Sequence, residues 1–258
     1  MNISVIQPVI IWEDKSRNFQ NFSELLKPLF DKTDLVILPE MFNTGFSMNT
    51  AGLSELMYGD TFNWMKSMSE KGNFGICGSF IVKENLNFYN RWVFVSGGNE
   101  IKYYNKRHLF TMGGEKERFT PGNAKLIFSF RGTKISPYIC YDLRFPVWSR
   151  NTEKSDLIIY ASNWPDARQN VWNTLLKARA IENQCYVAGS NPTGTDGMGI
   201  SYTGDSMIIN PRGEVISSAG KDHNTSITSE ISLKELNDFR KKFPVLDDAD
   251  EFALKSSV

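Results

Sequence analysis

Short runs of β-branched and aromatic residues recur along the chain and alternate with longer stretches whose apolar residues are spaced three and four apart. The short runs predict strands, and they are "ISVIQ", "LVILP", "FGICGSFIV", "NRWVFVS", "KISPYIC", "DLIIYAS", "CYVAGSN" and "SMIINP". The last run continues through "PRG" into "EVISSA", which predicts a hairpin. The longer stretches predict helices, and they are "KSRNFQNFSELLKPLF", "DTFNWMKSMSEKG" and "ARQNVWNTLLKARAIENQ". This alternation is typical of a sheet flanked by helices.

The composition indicates the class of protein and its domain organisation. The 258 residues are 41% hydrophobic and 22% charged, which is typical of a globular chain that buries a sizeable core. We found no low-complexity linker, charge block or tandem repeat, so the sequence predicts one domain over residues 1–258. Lysine plus arginine equals aspartate plus glutamate at 29 each. Without a basic field, neither a nucleic acid nor a membrane surface is expected as a partner.

The start of the chain and the cysteines bear on location. The opening "ISVIQPVII" is interrupted by polar residues and proline well short of the roughly 20 residues of a membrane span. It also lacks a basic region and a cleavage site, so it predicts a first strand and not a signal peptide. The three cysteines show no C-x-x-C spacing, and only two histidines accompany them. We therefore expect a reducing, cytoplasmic location and no metal site.

The segment "ISPYICYDLRFPVWSR" changes abruptly at Cys140 from an apolar run to charge, aromatics and proline. A buried strand that ends in a nucleophile and turns sharply into a helix exposes the side chain. It also leaves the next backbone N–H, here that of Tyr141, free to face a developing oxyanion. The alternative is a small buried core residue, which is our interpretation of Cys77 and Cys185. Local sequence leaves both interpretations of Cys140 open.

Two further strand ends carry complementary chemistry. Glu40 ends "LVILPE" and Lys106 stands at the far end of the strand in "IKYYNKRHLF", so both can meet Cys140 at the edge of one sheet. A free thiol and a free carboxyl differ by about four pKa units, and proton transfer between them costs roughly 6 kcal/mol. We expect burial to narrow this gap and the Lys106 ammonium, which favours the thiolate, to close the remainder. A competing base is His108, although a lone histidine is more often structural.

Several motifs together resemble a known family. They are "LPEMF", "KRHLF", "CYDLRFP", "SNWP", "KARAIENQCYVAGSN" and "GDSMIINPRGE". These motifs resemble the carbon-nitrogen hydrolases of the nitrilase superfamily, and the resemblance covers essentially the whole chain. Within that superfamily the sequence is most similar to the omega-amidases, in which "YDLRFPVWSRN" reads almost unchanged. The glycine-rich "GTDGMG" precedes a strand-like run and lacks a Walker lysine, so we interpret it as a turn.

The resemblance implies a fold and a set of roles. The fold is a four-layer α-β-β-α sandwich, usually a homodimer. By matching motifs, Glu40 is the general base, Lys106 stabilises the tetrahedral intermediate and Cys140 is the nucleophile. Glu115 matches a second glutamate that orients Lys106 and the substrate, but the neighbouring Glu117 leaves that assignment open. No cofactor is implied.

The resemblance also implies that Arg144 and Trp164 lie near the substrate pocket. Arg144 lies four residues beyond Cys140, so a helical turn would return its guanidinium to the face of the thiol, where it could bind a carboxylate. The competing interpretation pairs Arg144 with Asp142, and Trp164 could simply fill the core. The expected substrates are small ω-amides of 2-oxo dicarboxylic acids, such as 2-oxoglutaramate or 2-oxosuccinamate. A nitrilase, an N-carbamoyl hydrolase and a non-catalytic binding module remain alternatives.

Overall fold

The computed structural model describes residues 1–97 and 100–254 of the chain. The strands in these ranges are β1 (Asn2–Gln7), β2 (Leu35–Ile37), β3 (Gly75–Glu84), β4 (Asn87–Ser96), β5 (Glu100–Asn105), β6 (Phe128–Phe130), β7 (Thr133–Ile139), β8 (Leu157–Ala161), β9 (Tyr186–Ser190), β10 (Thr193–Thr195), β11 (Ser201–Thr203), β12 (Met207–Ile209), β13 (Val215–Ser218) and β14 (Thr225–Glu230). The α-helices are α1 (Lys15–Leu26), α2 (Thr50–Leu53), α3 (Asp60–Gly72), α4 (Gln169–Asn183) and α5 (Leu233–Lys242).

Two six-stranded sheets form the centre of the molecule. The first has the order β14-β1-β2-β3-β4-β5, and the second has the order β13-β12-β9-β8-β7-β6. In the first sheet β2 is parallel to β1 and β3, and two antiparallel steps bring β5 back to the direction of β2. In the second sheet β7, β8 and β9 run parallel. Each sheet therefore presents several carboxyl ends of strands at one edge.

The alternation of side chains across the first sheet explains the layering. Leu35 and Ile37 of β2 pack with apolar residues of the second sheet, whereas Val36 between them packs with residues of α1 and α3. On the far side of the second sheet, α4 contributes the buried Trp172 and Leu176 to the same core. The order of layers is helices, sheet, sheet, helix, which confirms the predicted α-β-β-α sandwich.

The predicted strands and helices are present, with ends that shift by a few residues. The "PRG" hairpin joins β12 and β13 as predicted. The pattern of short apolar runs missed β6, β10, β11 and β14. The "TSITSE" run of β14 holds a single apolar residue, since this strand pairs only with β1 at the edge of its sheet. Helix α5 was also missed, although Ser232 caps it by accepting a hydrogen bond from the Glu235 amide.

Two further points concern the chain as a whole. Among the described helices, none combines the length and apolar character needed to cross a bilayer. The assignment of one domain to residues 1–258 stays a prediction.

A glycine in β9 tests the contact between α4 and the second sheet. Gly189 has no positive φ, but a Cβ there would lie 2.7 Å from Leu176 Cδ1 and 2.7 Å from Trp172 Cζ2. We predict that Gly189→Ala lowers the free energy of unfolding by about 1–3 kcal/mol through overpacking, measured by urea titration. Gly97→Ala is the control, because no described atom lies within 4 Å of its added Cβ. Equal stability of the two variants would contradict this packing.

Candidate active site

The three residues that the sequence places at strand ends come together between the sheets. Glu40 follows β2 and Lys106 directly follows β5, both in the first sheet, whereas Cys140 directly follows β7 in the second. The expectation that all three lie on one sheet is therefore wrong. The sheets are joined here, because the Glu40 amide donates to the carbonyl of Ser162 at the end of β8, with an N–O distance of 3.4 Å. The site lies where the carboxyl ends of strands from both sheets meet.

The Lys106 ammonium lies between two carboxylates. Its Nζ donates to Glu40 Oε1 and to Glu115 Oε2, each at 2.7 Å, and all three side chains are fully buried. The amide of Asn90 donates to both carboxylates, at 2.8 Å to Glu40 and 3.2 Å to Glu115. Glu117 is exposed. The structure thus places Glu115, and not its neighbour, beside the lysine.

This cluster fixes the charge of the lysine. Burial alone would lower the pKa of the Lys106 ammonium, but the charges of Glu115 and Glu40 outweigh it and raise that pKa. Burial raises the pKa of the Glu115 carboxyl, opposed by Lys106 and reinforced by the negative charge of Glu40. The lysine consequently stays protonated near neutral pH. It is a permanent positive charge and not a proton donor.

Cys140 occupies a strained bend. Its φ is +42°, in the left-handed region that residues with a Cβ seldom adopt, and it begins a short 3-10 helix over Cys140–Arg144. The carboxylate of Asp142 holds the bend from inside, because its Oδ2 accepts a hydrogen bond from the Ile139 amide at 3.0 Å. The sharp turn after the strand is as the sequence predicts, although the helix that follows is 3-10. The amide of Tyr141 lies in its first turn, where N–H groups lack a partner within the helix.

The thiol is not held as a thiolate. Burial raises the pKa of Cys140 well above the usual thiol value, and the charge of Glu40 adds to this, whereas Lys106 acts in the opposite direction. The ammonium therefore favours the thiolate, as expected, but does not prevail. A neutral resting thiol requires a base that removes its proton as the sulfur attacks.

Asn163 connects the base to the thiol, and sequence reasoning missed it. Its backbone N–H donates to Glu40 Oε2 at 2.9 Å, and its side-chain amide donates to the Glu40 carbonyl at 2.6 Å. Its own carbonyl accepts a weak hydrogen bond from Cys140 Sγ at 3.7 Å. Asn90 was missed as well. The available signal was a polar residue inside or just after an apolar strand, as in "NRWVFVS" and "SNWP".

A cavity of about 740 Å³ opens beside the thiol. Lys106, Cys140, Tyr141, Arg144 and Trp164 all line it. The Arg144 guanidinium stands over the Trp164 ring, 5.2 Å from its centroid. A strict 3-10 turn would rotate Arg144 away from Cys140, yet both side chains reach the same cavity.

Asp142 is engaged elsewhere and does not pair with Arg144. Its Oδ1 lies 2.7 Å from His108 Nδ1, and its Oδ2 accepts a hydrogen bond from Tyr104 Oη at 2.8 Å. The His108 ring stacks on Phe145 with centroids 3.7 Å apart. Among the described residues, those that line the cavity do not include His108. This histidine therefore braces the bend that carries the thiol.

The "GTDGMG" segment is a turn, as predicted, and it forms part of the cavity. It joins β10 and β11 in a two-stranded ribbon, and Asp196 and Met198 of the segment line the cavity together with Ile200, which follows it. Gly197 packs so closely on the Trp12 indole that a Cβ would overlap the ring. The ribbon and Trp12 together close one side of the site.

The four-layer sandwich, with a thiol, a carboxylate and an ammonium gathered at one edge of its sheets, places this chain in the nitrilase superfamily. The chain belongs to the carbon-nitrogen hydrolase family, whose profile matches residues 2–241.

Individual relatives agree with this assignment. The chain is 44% identical to a protein of Escherichia coli named omega-amidase YafV, over 98% of each chain. It is 34% identical to a protein of Bacillus subtilis named 2-oxoglutaramate amidase, over 95% of this chain and 96% of the relative. A CN-hydrolase superfamily protein of Xanthomonas campestris, solved with an arsenic adduct in its active site, superimposes with a TM-score of 0.96 at 37% identity. That match covers 99% of each chain.

The choice of base gives a first test of the site. We predict that Glu40→Gln lowers kcat by about 10²- to 10⁴-fold, the range expected when general acid-base catalysis is lost. His108→Asn should cost much less, because its ring bonds Asp142 and lies outside the cavity lining. Steady-state ammonia release measures both variants. A larger loss in the histidine variant would identify a Cys-His enzyme instead.

The protonation of the thiol gives a second test, in which the charge of Glu40 determines the direction of the change in the Cys140 pKa. Because burial and Glu40 raise the pKa of Cys140, we predict that its thiolate forms only above the usual thiol range in the native protein. Glu40→Gln removes a negative charge, so the pKa of Cys140 should fall while turnover is lost. Thiolate ultraviolet absorbance against pH measures this, with Cys140→Ser as background for the other cysteines. An unchanged or raised titration in the glutamine variant would contradict the charge assignment.

Proposed function

We propose that this carbon-nitrogen hydrolase is an omega-amidase that converts small 2-oxo dicarboxylic acid monoamides to the dicarboxylic acid and ammonia. The observation that carries the proposal is Arg144, which lines the same cavity as Cys140 and pairs with no carboxylate among the described residues. A fixed cation near the nucleophile suits a substrate with an acid at one end and an amide at the other. The names of the Escherichia coli and Bacillus subtilis relatives support the same activity.

The first half of the reaction forms a thioester. Glu40 takes the thiol proton as Cys140 Sγ bonds to the amide carbon, and the carbonyl oxygen becomes an oxyanion. The Lys106 ammonium and the Tyr141 N–H stabilise that oxyanion from fixed positions. The carbon-nitrogen bond then breaks, and the protonated Glu40 gives its proton to the leaving nitrogen. Ammonia departs and the acyl group stays on the sulfur.

The second half releases the acid. Glu40, again a carboxylate, takes a proton from water as the water oxygen attacks the thioester carbon. The carbon-sulfur bond breaks, and the proton held by Glu40 returns to the sulfur. The neutral thiol that the buried site favours is thereby restored. These steps use no cofactor.

Glu115 has a positioning role in this scheme. Its Oε2 accepts a hydrogen bond from Lys106 Nζ at 2.7 Å and another from the Phe110 amide at 2.6 Å. The lysine is thus fixed in position before substrate arrives, which is what electrostatic stabilisation of an oxyanion requires.

The oligomeric state, the location and the partners of the enzyme are part of the same proposal. The resemblance supports a homodimer, and the composition supports a cytoplasmic protein with small-molecule partners rather than nucleic acid or membrane. The balanced charge, 29 basic against 29 acidic residues, is the observation behind the last point.

Ammonia release from a panel of compounds tests the function and the role of Arg144 together. We predict that native protein prefers 2-oxoglutaramate over pentanamide, a nitrile and an N-carbamoyl compound. Arg144→Lys should lower kcat/KM for 2-oxoglutaramate by on the order of 100-fold, about 3 kcal/mol, since a charged group loses its bidentate partner. It should leave pentanamide nearly unchanged, because that amide has no acid end.

The controls separate the alternatives. Cys140→Ala sets the background rate, and a native protein no faster than this variant would be a binding module. Preference for the nitrile or the carbamoyl compound would replace the amidase assignment. Equal losses on both amides in the lysine variant, with a lowered Tm, would make Arg144 structural.

A further inference from the structure

Arg168 is a second arginine of the cavity that the sequence did not single out. It ends a short 3-10 helix over Asp166–Arg168 immediately before α4, and its side chain lines the cavity shared by Cys140 and Arg144. Its guanidinium stands over the Phe110 ring, 5.4 Å from the centroid. No carboxylate among the described residues forms an ion pair with it. A stacked guanidinium keeps its N–H edge free for planar oxygen acceptors.

Trp164 contacts both arginines. Its indole Nε1 donates to the Arg168 carbonyl at 2.8 Å, while its ring lies beneath the Arg144 guanidinium. The bond uses the backbone of Arg168, and no protein hydrogen bond of the Arg168 side chain is found in the described residues. Changing this side chain therefore leaves the anchor of Trp164 intact.

Two carboxylates that line the cavity, those of Asp196 and Glu13, already accept hydrogen bonds from uncharged donors. Asp196 accepts the amides of Met198 at 2.8 Å and Ile200 at 2.9 Å, and the hydroxyl of Tyr202 at 2.9 Å. Glu13 accepts hydrogen bonds from the side chains of Ser47 and Asn49. Among the described residues neither guanidinium forms an ion pair with a carboxylate, so both remain available to an anionic group that enters the cavity.

The 2-oxo acid end of the substrate matches two guanidinium groups better than one. A 2-oxo acid end offers three oxygen acceptors in nearly one plane, two on the carboxylate and one on the 2-oxo group. One guanidinium can bind two of them in a bidentate pair, which leaves the third without a donor. We propose that Arg168 is a substrate-binding residue that, with Arg144, binds the 2-oxo acid end and recognises the 2-oxo oxygen. This inference rests on the proposed omega-amidase function.

The arrangement determines which acids are accepted. A saturated acid lacks the third oxygen and leaves a donor of Arg168 unsatisfied. A 2-amino acid carries an ammonium at that position, which two guanidinium groups repel. The site thereby distinguishes a 2-oxo acid amide from the amino acid amide that transamination would convert into it.

A matched pair of amides tests the role of Arg168. 2-Oxoglutaramate and glutaramate have the same length and differ only in the 2-oxo group. We expect Arg168→Gln to lower kcat/KM by roughly 10- to 100-fold for 2-oxoglutaramate, mainly through KM, and by less than about 3-fold for glutaramate. Arg168→Lys should recover part of the loss. Arg212→Gln is the matched control, since Arg212 is exposed and stacks on Phe239 at 4.5 Å away from the cavity, and it should change neither substrate.

A binding measurement separates this proposal from the function on which it rests. Cys140→Ala protein should bind 2-oxoglutarate more tightly than glutarate in calorimetry, and adding Arg168→Gln should remove the difference. Equal losses for both amides, or an unchanged binding preference, would overturn the role of Arg168. If native protein does not hydrolyse 2-oxoglutaramate while the binding preference holds, the proposed function is wrong and the recognition of the 2-oxo acid stands.

Discussion

The buried ammonium of Lys106, held between Glu40 and Glu115, is the interaction on which the rest of the site depends. It joins three separate parts of the chain: the end of β2, the end of β5 and the loop that follows. Removing one partner of such a buried ion pair typically costs about 3–5 kcal/mol, because a charge is left without compensation. The fold therefore holds this cluster in a single arrangement. Catalytic groups that are fixed before substrate binds need no reorganisation when the oxyanion forms.

The same cluster explains why the enzyme tolerates a neutral thiol. Two carboxylates and one ammonium leave an excess of negative charge near Cys140. This excess opposes the formation of a further negative charge on the sulfur. In the proposed mechanism the carboxylate of Glu40 accepts the thiol proton, and Asn163 contacts both groups, the carboxylate through its backbone N–H and the thiol through its carbonyl. Reactivity is coupled to the arrival of an electrophile. A permanently charged thiolate would be open to any oxidant or alkylating agent.

Sequence reasoning reached the parts of the site that a local pattern encodes. Glu40, Lys106 and Cys140 each stand where an apolar run stops, so the end of a strand predicts their exposure to an edge. The choice between Glu115 and Glu117 was beyond reach, because the path of their loop depends on contacts with distant strands. Asn90 and Asn163 went unrecognised for a similar reason. Their hydrogen bonds join β4 to the loop of Glu115, and the second sheet to the first, and no run of neighbouring letters records such pairings.

The division of the reacting groups between two sheets makes activity depend on complete folding. Glu40 and Cys140 follow strands of different sheets, so a chain whose sheets have not docked lacks the proposed pair of base and nucleophile. The first sheet is completed by β14, which pairs with β1 although the two strands lie far apart in the sequence. Catalysis by these groups therefore requires that both sheets are formed and docked. An incompletely folded chain has no hydrolase activity in this scheme, so activity itself reports that both sheets have folded and docked.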